Sequence, residues 1–194
     1  MEILNWLNEL DKQLFILINV KGAIPSLDWF IKLLRTDTTW IPVYVFMLYW
    51  ILRYARPFAL PFIALTVVCF GLADFISASV LKPNFGRERP CYNSELQPII
   101  RSLVGCAGRF SMPSSHASNH FALSTFWFSA IYLMKGKRWW WLWIWALLIG
   151  YAQVYVGKHY PFDILVGAVF GMMMGILATA LFSRWMRREK QLLP

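Results

Sequence analysis

Residues 58–81 read FALPFIALTVVCFGLADFISASVL, and residues 82–90 read KPNFGRERP. The first stretch carries a single charged residue, Asp74. At a helical rise of 1.5 Å per residue it is about 36 Å long, enough to cross the hydrocarbon core of a bilayer with some tilt. The second stretch is mostly charge, proline and turn formers. A long greasy helix that gives way at once to Lys82, Arg87, Glu88 and Arg89 reads as a membrane span meeting water.

Further apolar runs lie at 39–55, 116–134, 139–157 and 162–183. A chain of 194 residues with 58% hydrophobic and only 15% charged residues is too apolar for an ordinary soluble domain. The fold class that follows is all-α: an integral membrane helical bundle with five transmembrane helices. Pro57, Pro61 and Pro161 fall near helix starts, where a missing N–H costs least. Residues 8–36 read differently. LDKQLFILINV and SLDWFIKLL each have an apolar face, but Lys12, Lys21, Asp28, Lys32 and Arg35 interrupt any single span. Two short interfacial helices with their charges on a solvated face are the reading; a sixth, weakly hydrophobic span is the alternative. No linker divides the chain and no period repeats, so the expected organisation is N-terminal interfacial helices over 1–38, a transmembrane core over 39–184 and a basic cytoplasmic tail over 185–194. The N-terminus lacks the basic stretch, apolar core and small-residue site of a cleaved signal peptide.

The net charge of +9 is sided. Arg53, Arg56, Lys135, Lys137, Arg138, Arg184, Arg187, Arg188 and Lys190, with Glu189, fall at one set of span ends: nine basic residues against one acidic. The other set holds ten basic and eight acidic residues. The positive-inside rule puts the first set in the cytoplasm. This pattern is membrane topology rather than a nucleic-acid stripe, and nucleic acid is excluded as a partner. Trp139, Trp140, Trp141, Trp143 and Trp145 read as a headgroup-level aromatic belt at the cytoplasmic face.

Three polar clusters collect at the opposite face: Lys82–Pro90, Pro113-Ser-Ser-His116, and His159-Tyr-Pro-Phe-Asp163. Spans that alternate in direction bring all three together. Lys82 supplies fixed charge, and Arg89 a two-pronged donor suited to phosphate oxygens. Pro113-Ser-Ser-His opens a helix whose free N–H groups favour an anion, and the Ser114 and Ser115 hydroxyls add donors. His116 and His159 offer a general acid and a nucleophile. Asp163, four residues after His159, can hold one ring nitrogen protonated and free the other to attack. His120, one turn below His116, reads as structural or pocket-lining, and Asp74 as a hydrogen-bond partner inside the bundle.

These segments resemble the signature of the type 2 phosphatidic acid phosphatase superfamily: K-x6-R-P, P-S-G-H and S-R-x5-H-x3-D. Lys82, Arg89 and Pro90 match the first; Pro113, Ser114 and His116 the second, with Ser115 in the glycine position; His159 and Asp163 the third. The resemblance covers roughly residues 70–180. It implies a membrane lipid phosphatase of the cell envelope that needs no cofactor and no metal; two scattered histidines and one carboxylate are in any case a poor metal cage. It also implies that His159 attacks phosphorus, His116 protonates the leaving oxygen and Asp163 orients His159, while Lys82, Arg89, Ser114 and Ser115 hold the phosphoryl oxygens. Substrates implied are an isoprenoid pyrophosphate, phosphatidylglycerol phosphate or a lipid A phosphate, met at the outer face of a bacterial inner membrane. A lipid phosphotransferase, or a non-catalytic lipid-binding or transport protein on the same scaffold, are the alternatives.

One departure stands out. Where the family has Ser-Arg before the last histidine, this chain has Ala152-Gln153. Gln153 can give only a neutral hydrogen bond, so the missing charge is expected from Arg87 or Arg109 first, then from Arg101 or Lys158. Cys91 and Cys106 share one loop outside the cytoplasm, where a disulfide is permitted.

Overall fold

The computed structural model describes residues 2–106 and 108–192, with side chains as far as 188. The side chains of Glu189 and Lys190, assigned above to the cytoplasmic tail, lie outside the described residues. The architecture is all-helical. Helix α1 (Glu2–Ile16) continues through a π-helical turn at Leu17–Lys21, and α2 (Asp28–Arg35) follows a sharp bend. Helix α3 is Ile41–Tyr54, and α4 (Ala59–Phe75) runs on through a π-helical turn, Ile76–Leu81, into the short α5 (Lys82–Phe85). Helices α6 (Ser115–Lys135), α7 (Trp141–Tyr155) and α8 (Pro161–Leu192) complete the chain.

Two continuous helices, Arg56–Phe85 and Pro161–Arg188, are long and apolar enough to cross a membrane. Glu2–Lys21 and Pro25–Arg35, bent by 86°, pass the same test only if counted as one broken span. The N-terminal segment is thus one long and one short helix, beginning at Glu2 rather than near residue 8. Exposed Leu60, Val67, Leu147, Met173 and Ile176 cover the outside with apolar surface that water would not tolerate at this extent.

Helix α6 is the centre of the molecule, which explains its many polar residues. Every residue from Ala117 to Trp127 is buried, so this helix faces protein instead of lipid. Its polar groups are spent on neighbours. Ser124 Oγ donates to Leu142 O of α7 at 2.7 Å, Asn119 Nδ2 to Asp74 Oδ1 of α4 at 2.9 Å, and Trp127 Nε1 to Thr66 Oγ1 of α4 at 3.0 Å. Asp74 therefore takes the bundle hydrogen bond foreseen for it, although its own side chain faces a cavity.

Helices α6 and α8 make the most intimate contact in the molecule. Gly167, Gly171 and Gly175 form a small-residue stripe on α8, and a Cβ at Gly167 would come 2.6 Å from Ser114 O and at Gly175 2.6 Å from Ala122 O. At Gly171 it would run into Ser118 O. Lipid tails are as apolar as leucine, so burying apolar surface between helices gains little in a bilayer. Close backbone approach and interhelical hydrogen bonds hold such a bundle together. One expectation is corrected here: Trp145 is no headgroup anchor. Its ring is buried, stacked on Trp127 at 5.9 Å between centroids and edge-on to His120 at 4.9 Å. Trp140, by contrast, is exposed.

Candidate active site

The three polar segments are tied to one another. Arg89 N donates to Arg109 O at 3.1 Å and Ser111 N to Arg87 O at 2.7 Å, folding the 86–112 loop so that its ends lie side by side. Cys91 and Cys106 pair as a disulfide across the same loop. Ser114 N donates to Asp163 O at 3.0 Å, and Lys82 Nζ to Ser115 Oγ at 2.9 Å. Ser114 is also the N-cap of α6, its hydroxyl accepting from Ala117 N at 3.4 Å. The third segment is turned by Gly157, at φ +84, where a Cβ would meet Arg101 O at 2.9 Å. Lys158 N and His159 N both donate to Gln153 O, at 3.1 and 3.3 Å.

His159 is buried, and its two ring nitrogens face different partners. Nδ1 lies 3.5 Å from Asp163 Oδ2; Nε2 lies 3.4 Å from Arg89 Nη1. At 3.5 Å the Asp163 contact is of ion-pair range, and Nδ1 has no formed hydrogen bond among the described residues. Asp163 is held from several sides: Oδ2 accepts from Tyr160 N at 2.8 Å and Oδ1 from Arg87 Nη1 at 3.0 Å. Burial pushes His159 down to about 4 against the opposing pull of Asp163, so its imidazole is neutral near pH 7. Arg89 is clamped, with Nε on Gly108 O at 2.8 Å and Nη1 on Lys158 O at 3.2 Å. Burial, then Arg89, then Arg35 bring Lys158 down to about 8. Lys82, Arg89 and Lys158 thus form a crowded cationic cluster beside a neutral imidazole.

The His116 side is open. Its Nε2 lies 3.4 Å from Asp37 Oδ1, and that hydrogen bond holds the Asp37 carboxyl below the usual range. Beneath His116 a cavity of about 710 Å³ runs between α3 and α4 along α6, from Ser115 to Trp127. Twelve residues of helix make that depth about 18 Å. Its mouth is polar (Asp37, His116, Asn119) and its depth apolar (Met47, Ile51, Phe62). His120 lines it, buried, with Nδ1 2.8 Å from His116 O, as foreseen from its position.

Most of the residues singled out from the sequence meet: Lys82, Arg89, Ser114, Ser115, His116, Gln153, His159 and Asp163. The charges nominated to replace the lost arginine mostly do not. Arg87 Nη1 is committed to Asp163 Oδ1 at 3.0 Å and Asp11 Oδ2 at 2.7 Å, with its guanidinium over the Tyr160 ring; it braces the carboxylate instead of meeting phosphate. Arg109 pairs with Glu88, and Arg101 with Asp28. Of the four, Lys158 alone joins the cationic cluster. Lys12 is mostly covered, bridging Glu9 and Glu95 at 2.9 and 2.6 Å, rather than lying on a solvated face.

Two residues that the motifs do not reveal also reach the site. Asp11 is fully buried; its Oδ1 accepts from Phe162 N at 2.9 Å, capping α8 beside Asp163. Asp37 holds His116. A signal for the first was present: Asp11, Phe15 and Asn19 fall at i, i+4 and i+8, one face of a helix, and all three are buried. Polar residues on an otherwise apolar stripe call for partners.

Residues 62–187 match the PAP2 superfamily. The chain belongs to that superfamily. A lipid A 4'-phosphatase of Bacteroides thetaiotaomicron is 31% identical over 87% of this chain and 75% of its own length. A lipid A 4'-phosphatase of Porphyromonas gingivalis is 27% identical over 94% of this chain and 79% of its own. Aquifex aeolicus LpxE superposes with a TM-score of 0.62 at 25% identity, covering 87% of this chain and 94% of that one. A transmembrane PAP2-type phosphatidylglycerolphosphate phosphatase from Bacillus subtilis gives 0.71 at 19% identity, over 95% and 88%, a likeness of fold. This PAP2 protein is a membrane lipid phosphatase, as its three motifs foretold. The matched region carries Lys82 through Asp163 but excludes Asp11 and Asp37.

Proposed function

We propose that this PAP2 phosphatase removes a phosphate monoester from a lipid A-type glycolipid through a phosphohistidine on His159. The observation that carries the mechanism is the orientation of one ring: His159 presents Nε2 to Arg89 and Nδ1 to Asp163. The reading of the substrate rests on similarity to the lipid A 4'-phosphatases.

In the first step His159 Nε2 attacks phosphorus and the bond to the lipid oxygen breaks. Asp163 accepts the Nδ1 proton's hydrogen bond and stabilises the cationic ring that forms. Lys82, Arg89, Ser114, Ser115 and Gln153 hold the phosphoryl oxygens, with Arg87 acting indirectly through Asp163. His116 gives its proton to the leaving oxygen, and the lipid alcohol departs into the cavity below. In the second step His116, now neutral, takes a proton from water as the water oxygen attacks phosphorus. The P–N bond breaks, orthophosphate leaves and both histidines return to their starting states.

Five helical passes suit the arrangement: α3, α4 with α5, α6, α7 and α8 each have one end at the site and the other near the basic cytoplasmic residues. Helices α1 and α2 lie across the site end as an outer-face strap. The site then faces the periplasm, where an outer-leaflet headgroup can enter.

The test is phosphate release by protein purified in detergent and offered lipid A, undecaprenyl pyrophosphate and phosphatidylglycerol phosphate, with and without chelator. Release from lipid A that survives the chelator and disappears in His159→Ala is expected. Preference for another lipid would move the substrate assignment. Phosphate passed to an added lipid instead of to water would favour a phosphotransferase.

A further inference from the structure

The third motif lacks its arginine, and none of the loop arginines takes its place. Where Gln153 stands, the structure leaves an anion site short of one charged donor. Gln153 is itself buried, and its Nε2 has no hydrogen-bond partner among the described residues. A second buried donor, on the helix packed against the end of α7, is in the same condition. It is Nε of Arg35, the last residue of α2.

Helix α2 is not loosely attached. Ile31 and Leu34 pack on Ala152, Tyr155 and Val156 of α7, the residues flanking Gln153. Polar ties fix it further: Tyr155 Oη donates to Asp28 Oδ1 at 2.8 Å and Arg101 Nη2 to Asp28 Oδ2 at 2.6 Å. Trp40 Nε1, beyond the helix end, donates to Leu34 O at 2.7 Å. These contacts deliver Arg35 to the C-terminal end of α7, next to the cationic cluster. The cluster senses it: after burial and Arg89, Arg35 is a cause of the lowered Lys158, and it also opposes the charge on Arg89. Four cations, Arg35, Lys82, Arg89 and Lys158, face three carboxylates: Asp37 beside Arg35, Asp74 beside Lys82, and Asp163 beside Lys82 and Arg89. Such crowding is unfavourable unless an anion completes it, and buried donors are seldom left unpaired without a ligand to receive them.

We propose that Arg35 is the phosphoryl-binding arginine of this enzyme, reaching across from the N-terminal strap to the place that the PAP2 motif fills from the position of Gln153. Its Nε and Gln153 Nε2 then donate to the same group of phosphoryl oxygens as Arg89. The region matched to the superfamily begins at residue 62, so the ligand has moved to a part of the chain that the motif does not cover. The inference rests on the reading of the His159 pocket as the phosphoryl site.

The decisive measurement is orthophosphate affinity by titration calorimetry on full-length protein in detergent, which needs no turnover. Wild type, Arg35→Ala and Arg35→Lys are compared, with melting temperature followed for each. Loss of one charge-assisted hydrogen bond predicts about 10- to 100-fold weaker binding in Arg35→Ala. Arg35→Lys should fall between, since it keeps the charge and loses the planar fork. The double variant Arg35→Ala/Gln153→Arg should regain affinity, an outcome that a purely structural role for Arg35 would not give. Unchanged orthophosphate affinity in Arg35→Ala overturns the proposal, as does a loss matched in Arg35→Lys by a collapse of the melting temperature. Wild type that binds orthophosphate but releases none from any lipid would sink the phosphatase mechanism and leave the role of Arg35 measurable. Wild type that binds no orthophosphate would overturn both.

Discussion

The core of this phosphatase and its N-terminal strap serve one site by different means. The core, α4 to α8, positions its chemistry through close backbone packing: Gly167 and Gly171 let α8 lie against α6, and Ser114 N bonds directly to Asp163 O. The strap, α1, α2 and the turn Asp37–Trp40 that follows them, contributes single side chains at long sequence separation. Asp11 caps α8, Asp37 touches His116, and Arg35 lies beside Lys158 and Arg89. A motif can describe the first kind of region because its spacing is fixed by helix geometry. The second kind leaves no such spacing, since any helix draped over the site can present a carboxylate or a guanidinium from a different register.

The comparison breaks most severely at the centre of the core. On the proposed mechanism His159→Ala removes the atom that takes the phosphoryl group, and a loss of about 10⁴-fold or more in kcat is expected, as for other covalent nucleophiles. Residual activity within tenfold of wild type would show that the core does not house the nucleophile. Burial also fixes the sign of a pH effect. Because the His159 pKa is depressed to about 4, protonation stays unfavourable in the folded protein through pH 5 and 6. The acid limb of kcat/KM from this residue should therefore appear only as pH approaches 4. The unfolded chain, with an ordinary histidine, binds that proton near pH 6.5, so stability falls as pH drops from about 6.5 toward 4. Melting curves across that range, compared with His159→Asn, would reveal the contribution by its disappearance in the variant.

Packing in the core comes next. Gly171→Val would force a side chain into Ser118 O of α6, and overpacking of this kind costs about 1–3 kcal/mol. Because α6 carries Ser114, Ser115 and His116, displacing it by even 1 Å would also lower turnover, by about 100-fold. Thermal unfolding and kcat measured together check this. A valine variant with wild-type stability and rate would mean that the glycine stripe does not set the site geometry.

The strap should yield a smaller loss. Asp11→Ala strips α8 of a cap at Phe162 N and leaves Arg87 with Asp163 as its one carboxylate partner. Removing a buried acceptor from a charged donor costs about 1–3 kcal/mol, and loosening Asp163 should lower kcat about 10-fold with KM little changed. Asp11→Asn, which keeps the acceptor for Phe162 N, should restore part of the stability. Variants indistinguishable from wild type would make the strap a bystander.

Legibility followed the same division. The all-helical membrane class could be read from apolar runs, because a bilayer demands length and greasiness of any helix that faces it. Helix α6 shows the limit of that rule. It sits at the centre, faces protein, and carries Ser118, Asn119, His120, Ser124 and Thr125 where lipid-facing helices carry leucine. Trp145 was misread for a related reason: its neighbours 139–141 mark a membrane boundary, but α7 turns this one ring inward onto Trp127. At the site, the gathering of the Lys82, His116 and His159 segments at one face follows from spans that alternate in direction, and their proposed roles from the motif resemblance. Arg87 was recognised as important but given the wrong partner, since sequence shows a loop charge without showing that Asp11 waits beneath it. Of the strap residues, Asp11 could have been found by asking why it and Asn19 share a buried stripe with Phe15.

The smallest effect is expected where the strap meets the open side of the site. Asp37 is largely exposed and 3.4 Å from His116 Nε2. Exposed pairs of this kind are worth about 0–1 kcal/mol, so Asp37→Asn should lower kcat no more than about fivefold and leave the melting temperature in place. The His116 hydrogen bond keeps the Asp37 carboxyl below its ordinary value, so its contribution is present at neutral pH and is lost only as pH falls through that lowered value. The ratio of wild-type to variant kcat should therefore be flat near neutrality and approach one in acid. On the proposed mechanism the proton from His116 is needed only by a poor leaving group, so a lipid-mimicking ester of a strongly acidic phenol should turn over equally in both proteins, while the natural lipid shows the full difference. Equal losses with both substrates would place Asp37 in substrate entry at the cavity mouth rather than behind the general acid.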